Sequence, residues 1–182
     1  MPTLSDRRIA ILATDGFEQV ELTSPRDALT DAGATVEVVS LEDGSIRGWD
    51  QDDWGDSVEV DAVLGDVLVR DYDALVLPGG QINPDTLRAE DDAVDFIKAF
   101  ATAGKPIAAI CHAPWLIIEA ELAKDRHMTS FTSIRTDLKN AGAKVRDERV
   151  VRCPHGDFVL LTSRNPDDLP AFNQAIIDEL AD

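Results

Sequence analysis

Residues that cross-link, ligate metals or stack on bases are scarce in this chain. Its 182 residues include two cysteines, three histidines and only 5% aromatics. Two cysteines cannot make a disulfide framework or a four-thiolate zinc site, and His112, His127 and His155 lack His-x-x-x-His spacing. No metal and no cofactor are therefore expected, and the expected compartment is the cytoplasm. Positive charge is scarce too: 17 Lys+Arg against 35 Asp+Glu leave a net charge of −18. A surface of that sign repels phosphate backbones and anionic lipid, so no nucleic acid and no membrane are expected as partners. The acidity fits a salt-rich cytoplasm and an ordinary acidic soluble protein equally well. No apolar run nears the ~18 residues of a membrane span. The opening Met1–Arg8 lacks the pattern of a secretory signal. Repeats, low-complexity tracts and Pro/Ser-rich linkers are missing as well. With 44% hydrophobic residues, the chain reads as one domain over 1–182 with a sizeable core.

What is present is an alternation of short apolar runs with amphipathic stretches. Ile9–Ala13 reads as a buried strand, Ser24-Pro25 as the opening of a helix ended by Gly33, and Thr35–Ser40 as a second strand. Strand, helix and strand make one right-handed parallel crossover. Residues 42–66, with Trp49 and Trp54 among Asp and Gly, interrupt the rhythm and read as an edge excursion or hairpin. The parallel pattern resumes with Ala74–Leu77, a helix over Ala93–Ala103, the strand Pro106–Ile110 and an apolar helix Trp115–Leu122. A short strand near Met128–Phe131 and a helix over Ile134–Ala141 follow. Arg149–Arg152 and Phe158–Thr162 flank a hairpin turn, Cys153–Asp157, and Asn165-Pro166-Asp167-Asp168 caps a closing helix. The predicted architecture is an α/β three-layer sandwich with a mostly parallel sheet.

Ligands of such sheets bind beyond the carboxyl ends of the strands. Three of those ends are chemically loaded: Asp15-Gly16-Phe17-Glu18, Pro78-Gly79-Gly80 and Ile110-Cys111-His112-Ala113. A cysteine at the tip of a buried strand, with a helix starting at once, sits in a sharp elbow. That elbow needs small residues two positions either side, and Ala109 and Ala113 supply them. Free N–H groups at a helix start favour a thiolate, which makes Cys111 a candidate nucleophile. The plainer reading of Cys111 is a buried core cysteine. Glu18 and Cys111, each following one of two adjacent strands, are expected to share a pocket. There the carboxyl would keep its proton and the thiol would ionise below its ordinary range.

In order along the chain, Asp15-Gly16-Phe17-Glu18, Leu77-Pro78-Gly79-Gly80, Ala109-Ile110-Cys111-His112-Ala113-Pro114 and Thr162–Phe172 resemble the motifs of the DJ-1/PfpI superfamily. The last run is especially similar to its PfpI-type intracellular cysteine peptidase and deglycase branch, and the resemblance spans about Ile9–Leu180. It implies a flavodoxin-like fold whose nucleophile elbow is like that of class I glutamine amidotransferases. It also implies that Cys111 is the nucleophile, that Glu18 hydrogen-bonds its sulfur and that His112 sits beside it. Amides near Gly80 and His112 would form the oxyanion hole. An acid after the Gly-Gly pair would reach the histidine across a subunit interface, so the chain would form a homo-oligomer, a dimer or a hexamer. Asp85 is the nearest match, one residue further on than the pattern, and it fits equally as a first-turn helix acid after Pro84. The implied activity is a cysteine-dependent hydrolase in stress protection, acting on peptides or on small carbonyl or glycated substrates. The alternatives are a redox-sensing or chaperone-like protein whose Cys111 oxidises, or a glyoxalase-type aldehyde hydratase. His155-x-Asp157 echoes the His-x-Glu of glutamine amidotransferases, but it stands in a predicted turn. Cys153 reads as a semi-exposed turn thiol and His127 as ordinary surface.

Overall fold

The computed structural model describes residues 3–181. In chain order the elements are β1 (Arg8–Leu12), β2 (Phe17–Glu18), α1 (Gln19–Asp31), β3 (Thr35–Ser40), β4 (Ser45–Asp50), β5 (Asp53–Glu59) and β6 (Ala62–Val63). Then come β7 (Ala74–Leu77), α2 (Ile82–Leu87), α3 (Asp91–Thr102), β8 (Ile107–Ile110), α4 (Pro114–Glu119), β9 (His127–Met128) and α5 (Arg135–Asn140). The chain closes with β10 (Lys144–Val145), β11 (Val150–Cys153), β12 (Leu160–Ser163) and α6 (Leu169–Ala181).

Seven strands form the central sheet in the order β11-β12-β8-β7-β1-β3-β6. All neighbours are parallel except the edge pair β11–β12. Successive strand residues point to opposite faces, and the core divides accordingly. Ala10, Leu12, Leu75, Leu77, Ile107 and Ala109 pack with Phe96, Ile97 and Phe100 of α3 and Leu116 and Ile117 of α4. Ile9, Ile11, Val76 and Ile110 pack with Leu22 and Leu29 of α1 and Phe172, Ile176 and Leu180 of α6. Helices on both faces make the predicted three-layer α/β sandwich.

The stretch at 42–66 holds an antiparallel hairpin, β4–β5, whose β4 pairs in parallel with the two-residue β2. This small second sheet leans on the loop after β1 rather than extending the main sheet. Trp49 and Trp54 meet edge to face across it, with ring centroids 5.5 Å apart.

The structure departs from the sequence reading at α1. Ser24-Pro25 does not open this helix; it starts at Gln19 and carries Pro25 inside. An N1 proline is a common helix start but not a required one. Here Phe17, Leu22 and Leu29, all fully buried, fix an earlier start, with Glu18 as the N-cap. The earlier start makes Glu21, which precedes Ser24-Pro25, a helical residue with a defined direction. At the other end, the predicted cap forms: Asn165 Oδ1 accepts from Asp167 N at 3.0 Å.

Candidate active site

Strand order reverses between β1 and β7, which places a crevice beyond their carboxyl ends. The loop after β1, the Pro78-Gly79-Gly80 turn after β7 and the elbow after β8 all open into it. They line a cavity of about 560 Å³, with Trp49, Ile82 and Phe131 at its apolar walls.

Cys111 lies in the elbow with φ +64°, a left-handed conformation that a non-glycine residue adopts only when its surroundings hold it there. Its N–H donates to Ser163 O at 3.1 Å and its carbonyl accepts from Phe131 N at 2.8 Å. Both bonds anchor the turn to the next strand and to the loop before α5. Ala109 and Ala113 are fully buried, as the elbow requires. The helix behind the elbow starts at Pro114, one residue before the expected Trp115, with Ala113 as its N-cap. The amides of Gly80 and His112 hydrogen-bond the sulfur. These are the two groups expected as oxyanion donors.

Both glycines of the β7 turn are needed for close approach. A Cβ on Gly79 would lie 2.5 Å from Glu21 Oε2 and 2.7 Å from Cys111 Cβ. Gly80 has φ +78°, and its Cβ would lie 2.5 Å from Gly16 O and 2.6 Å from Glu18 N. Asn83, fully buried on α2, holds the turn: its Nδ2 donates to Pro78 O (2.9 Å) and Gly79 O (3.1 Å) and its Oδ1 accepts from Thr14 N (2.8 Å).

The carboxyl beside the thiol belongs to Glu21, not Glu18. Glu21 is completely buried, accepts from Gly79 N at 2.8 Å through Oε2 and hydrogen-bonds the Cys111 thiol. Its Oε1 is buried without a hydrogen-bond partner. Burial, then the charge of Glu18, pushes the Glu21 carboxyl up to about 8, while bonds from Gly79, Cys111 and Gly80 pull the other way. Glu18 stands at the cavity mouth, half-buried, and accepts from Gln51 N at 3.3 Å. Burial also raises the Glu18 carboxyl, with Asp50 adding to the rise. The expected proton-holding acid is therefore present three residues further along, where α1 turns it inward. The expected low thiol is not: burial, then the charge of Glu21, pushes Cys111 up, against the Gly80 and His112 amides.

His112 Nδ1 lies 3.2 Å from Cys111 Sγ, and His112 Nε2 lies 3.3 Å from Ser133 Oγ. The ring stacks on Phe131 at 4.7 Å and meets Trp115 edge to face at 5.2 Å. Burial lowers its pKa, which keeps the imidazole neutral and able to accept a proton. Asp85 is exposed in the first turn of α2, and Ser133 is the residue that meets His112 Nε2. Ser133, Asn83 and Glu21 escaped the sequence reading. Glu21 alone carried a signal, a charged residue between the apolar Val20 and Leu22 just past the first motif.

Cys153 is fully buried in the sheet rather than semi-exposed in the turn. His155 and Asp157 lie in the β11–β12 turn, outside this cavity. No group of His, Cys, Asp and Glu among the described residues has the arrangement of a metal site. No helix among them is long and apolar enough to cross a membrane.

An α/β sandwich carrying a cysteine elbow at its switch point defines the class of protein. A DJ-1/PfpI family model matches residues 7–179, and the chain belongs to that family. "Putative cysteine protease YraA" of Bacillus subtilis is 43% identical over 175 residues, 96% of this chain and 98% of that one. "General stress protein 18" of the same organism is 46% identical over 169 residues, 92% and 94% of the two chains. "Protein/nucleic acid deglycase 2" of Escherichia coli is 41% identical over 169 residues, again 92% and 94%. Among solved structures, a two-domain Anabaena variabilis protein with DJ-1/ThiJ/PfpI-like and ferritin-like domains superposes with a TM-score of 0.87 at 33% identity. That match takes in 96% of this chain and 48% of the other.

Proposed function

We propose that the protein is a cytoplasmic cysteine-dependent hydrolase that acts on small carbonyl compounds or on carbonyl adducts of side chains. One observation carries the reading: the Cys111 sulfur receives two backbone amides and lies against a buried carboxyl and a neutral imidazole. With its proton on, Glu21 no longer repels a thiolate and becomes a donor to it, so one negative charge serves the pair. The thiolate attacks the carbonyl carbon and the carbonyl oxygen takes the negative charge. The Gly80 and His112 amides, which lie at the sulfur, supply donors for that oxygen as the adduct forms. His112 accepts the thiol proton and returns it to that oxygen, giving a hemithioacetal. On an α-oxoaldehyde, transfer of the C1 proton to the neighbouring carbonyl carbon makes a 2-hydroxyacyl thioester, which water hydrolyses to the 2-hydroxy acid and the free thiol. A cavity of about 560 Å³ suits a small carbonyl or a single modified side chain better than an extended backbone. The deglycase name of one relative points the same way, while the protease name of another keeps peptides as competitors.

A second reading rests on the orphaned Glu21 Oε1 beside the thiol. A sulfinic oxygen on Cys111 would accept the proton that this carboxyl holds, which suits a redox-sensing stress protein. Self-association belongs to the proposal as well. Asp85, exposed on α2, is free to serve the site of a second copy.

The deciding experiment compares wild type with Cys111→Ser on methylglyoxal, a glycated thiol and an unstructured peptide. Turnover of the first two that vanishes in the variant supports the carbonyl reading. Thiol-dependent turnover of peptide alone selects a peptidase, and unchanged rates on all three refute a cysteine hydrolase.

A further inference from the structure

We propose that Glu18 sets the charge preference of this cavity: it admits carbonyl compounds bearing a cation or a hydrogen-bond donor and turns away those bearing a carboxylate, sulfonate or phosphate. The inference deepens the proposed function and rests on its reading of Cys111 as a nucleophile open to the cavity.

The wall carries carboxyls and no fixed positive charge. Glu18 and Glu21 both line the cavity, and among the described residues no lysine or arginine does. Arginines on the surrounding elements are engaged elsewhere. Arg164 pairs with Asp168 at 2.8 Å and with Asp147 at 2.9 Å, Arg135 pairs with Asp147 at 2.9 Å, and Arg88 pairs with Glu119 at 3.1 Å. His112, neutral by burial, offers no compensating charge. Glu21 is walled in at the floor beside the sulfur, so Glu18 is the carboxylate an entering molecule meets first.

Glu18 is held for that task. Its N–H donates to Gly79 O at 3.3 Å, which ties it to the glycine turn, and Oε1 accepts from Gln51 N at 3.3 Å. Gln51, at the tip of the β4–β5 hairpin, has φ +61°, and its carbonyl accepts from Trp49 Nε1 at 3.0 Å. The hairpin therefore fixes one oxygen of Glu18 and hangs Trp49 beside it, and Oε2 is left for a ligand. A carboxylate next to an indole is a pairing that attracts cations. Asp50, which adds negative potential at Glu18, strengthens the bias.

The test needs no turnover. Cys111 is labelled with two methanethiosulfonates of similar size, one bearing trimethylammonium and one bearing sulfonate. In both, the thiolate displaces methanesulfinate and forms a mixed disulfide, so the ratio of the two rates cancels the ionisation of Cys111. Each rate is read on the Cys111 peptide by mass spectrometry and divided by the reagent's rate with β-mercaptoethanol. Wild type should favour the cationic reagent by roughly tenfold or more, the effect of one nearby charge of effective strength. Glu18→Gln should bring the ratio most of the way to one, and Glu18→Lys should invert it. Asp92→Asn, the same charge change on α3, should leave it alone. The preference should also survive about 0.5 M salt, where the field of the whole chain is screened within a few ångströms. A wild-type ratio near one, an unchanged ratio in Glu18→Gln, an equal shift in Asp92→Asn, or a Cys111 that neither reagent reaches would overturn the proposal. A clear charge ratio without any carbonyl turnover would leave it standing and refute the hydrolase instead.

Discussion

The two cysteines of this protein both lie at the C-terminal ends of strands in one sheet, and both are buried: 6% exposed for Cys111 and 1% for Cys153. Everything else about them differs. Cys111 has a left-handed backbone and meets two amides, a carboxyl and an imidazole. Cys153 sits in regular antiparallel pairing opposite Leu160, packed into the core with the Arg126 guanidinium beside it. Burial beside a single arginine leaves a core thiol; strain and several converging polar groups make a site. The two turns differ in the same way. Gly80 in the β7 turn and Gly156 in the β11–β12 turn both have positive φ, but a Cβ would strike backbone at Gly80 and only the Arg126 guanidinium at Gly156.

The largest difference should appear in turnover. Cys111→Ser is expected to lower any thiol-dependent activity by roughly a thousandfold or more with the fold intact, and Cys153→Ala to change it less than about threefold. Circular dichroism beside steady-state kinetics checks both. A comparable loss in Cys153→Ala would break the contrast.

Glu21 should set the pH dependence of stability. Its folded pKa, about 8, lies above the ordinary 4.5, so the folded state binds the proton more tightly. The associated stability is full below 4.5 and is lost as pH rises through about 8. Its ceiling is on the order of 5 kcal/mol by linkage. Glu21→Gln, a neutral isostere, should flatten that slope in urea titrations across the window, and Glu18→Gln should leave most of it. A slope that persists in Glu21→Gln would show that the buried carboxyl is not the titrating group.

Gly80→Ala should cost roughly 1–3 kcal/mol, since the backbone of Gly16 and Glu18 must move. Gly156→Ala should cost less, roughly 1 kcal/mol, because an arginine end can step aside and only the strained φ remains. Thermal melts of the pair rank them, and equal shifts would show that the β7 turn is no tighter than an ordinary hairpin. Graded peroxide gives the finest comparison. Two oxygens should appear first on the Cys111 peptide, because its sulfur lines a cavity and that of Cys153 does not.

Much of the architecture was legible in the sequence because local rules and burial agree there. Ile9–Ala13, Ala74–Leu77 and Pro106–Ile110 are short apolar runs with room for nothing but doubly covered strands, and Ala109 and Ala113 around Cys111 announce the elbow. The hairpin at 42–66 and the cap at Asn165 were visible for similar reasons of turn chemistry. Legibility failed where a side chain's direction depends on a distant contact. Pro25 marks a helix start by local preference, yet the burial of Phe17 and Leu22 starts α1 at Gln19. That shift separates Glu18, which guards the mouth, from Glu21, which faces the thiol.

Sequence by itself determined the sheet, the elbow and Cys111 with His112 beside it, because each follows from neighbours along the chain. The tertiary structure alone decided which acid meets the sulfur, that Ser133 meets the histidine within the chain, and that Trp49 and Gln51 join the mouth. Helix phase and the packing of segments far apart in the chain set those choices, and no local pattern encodes either one.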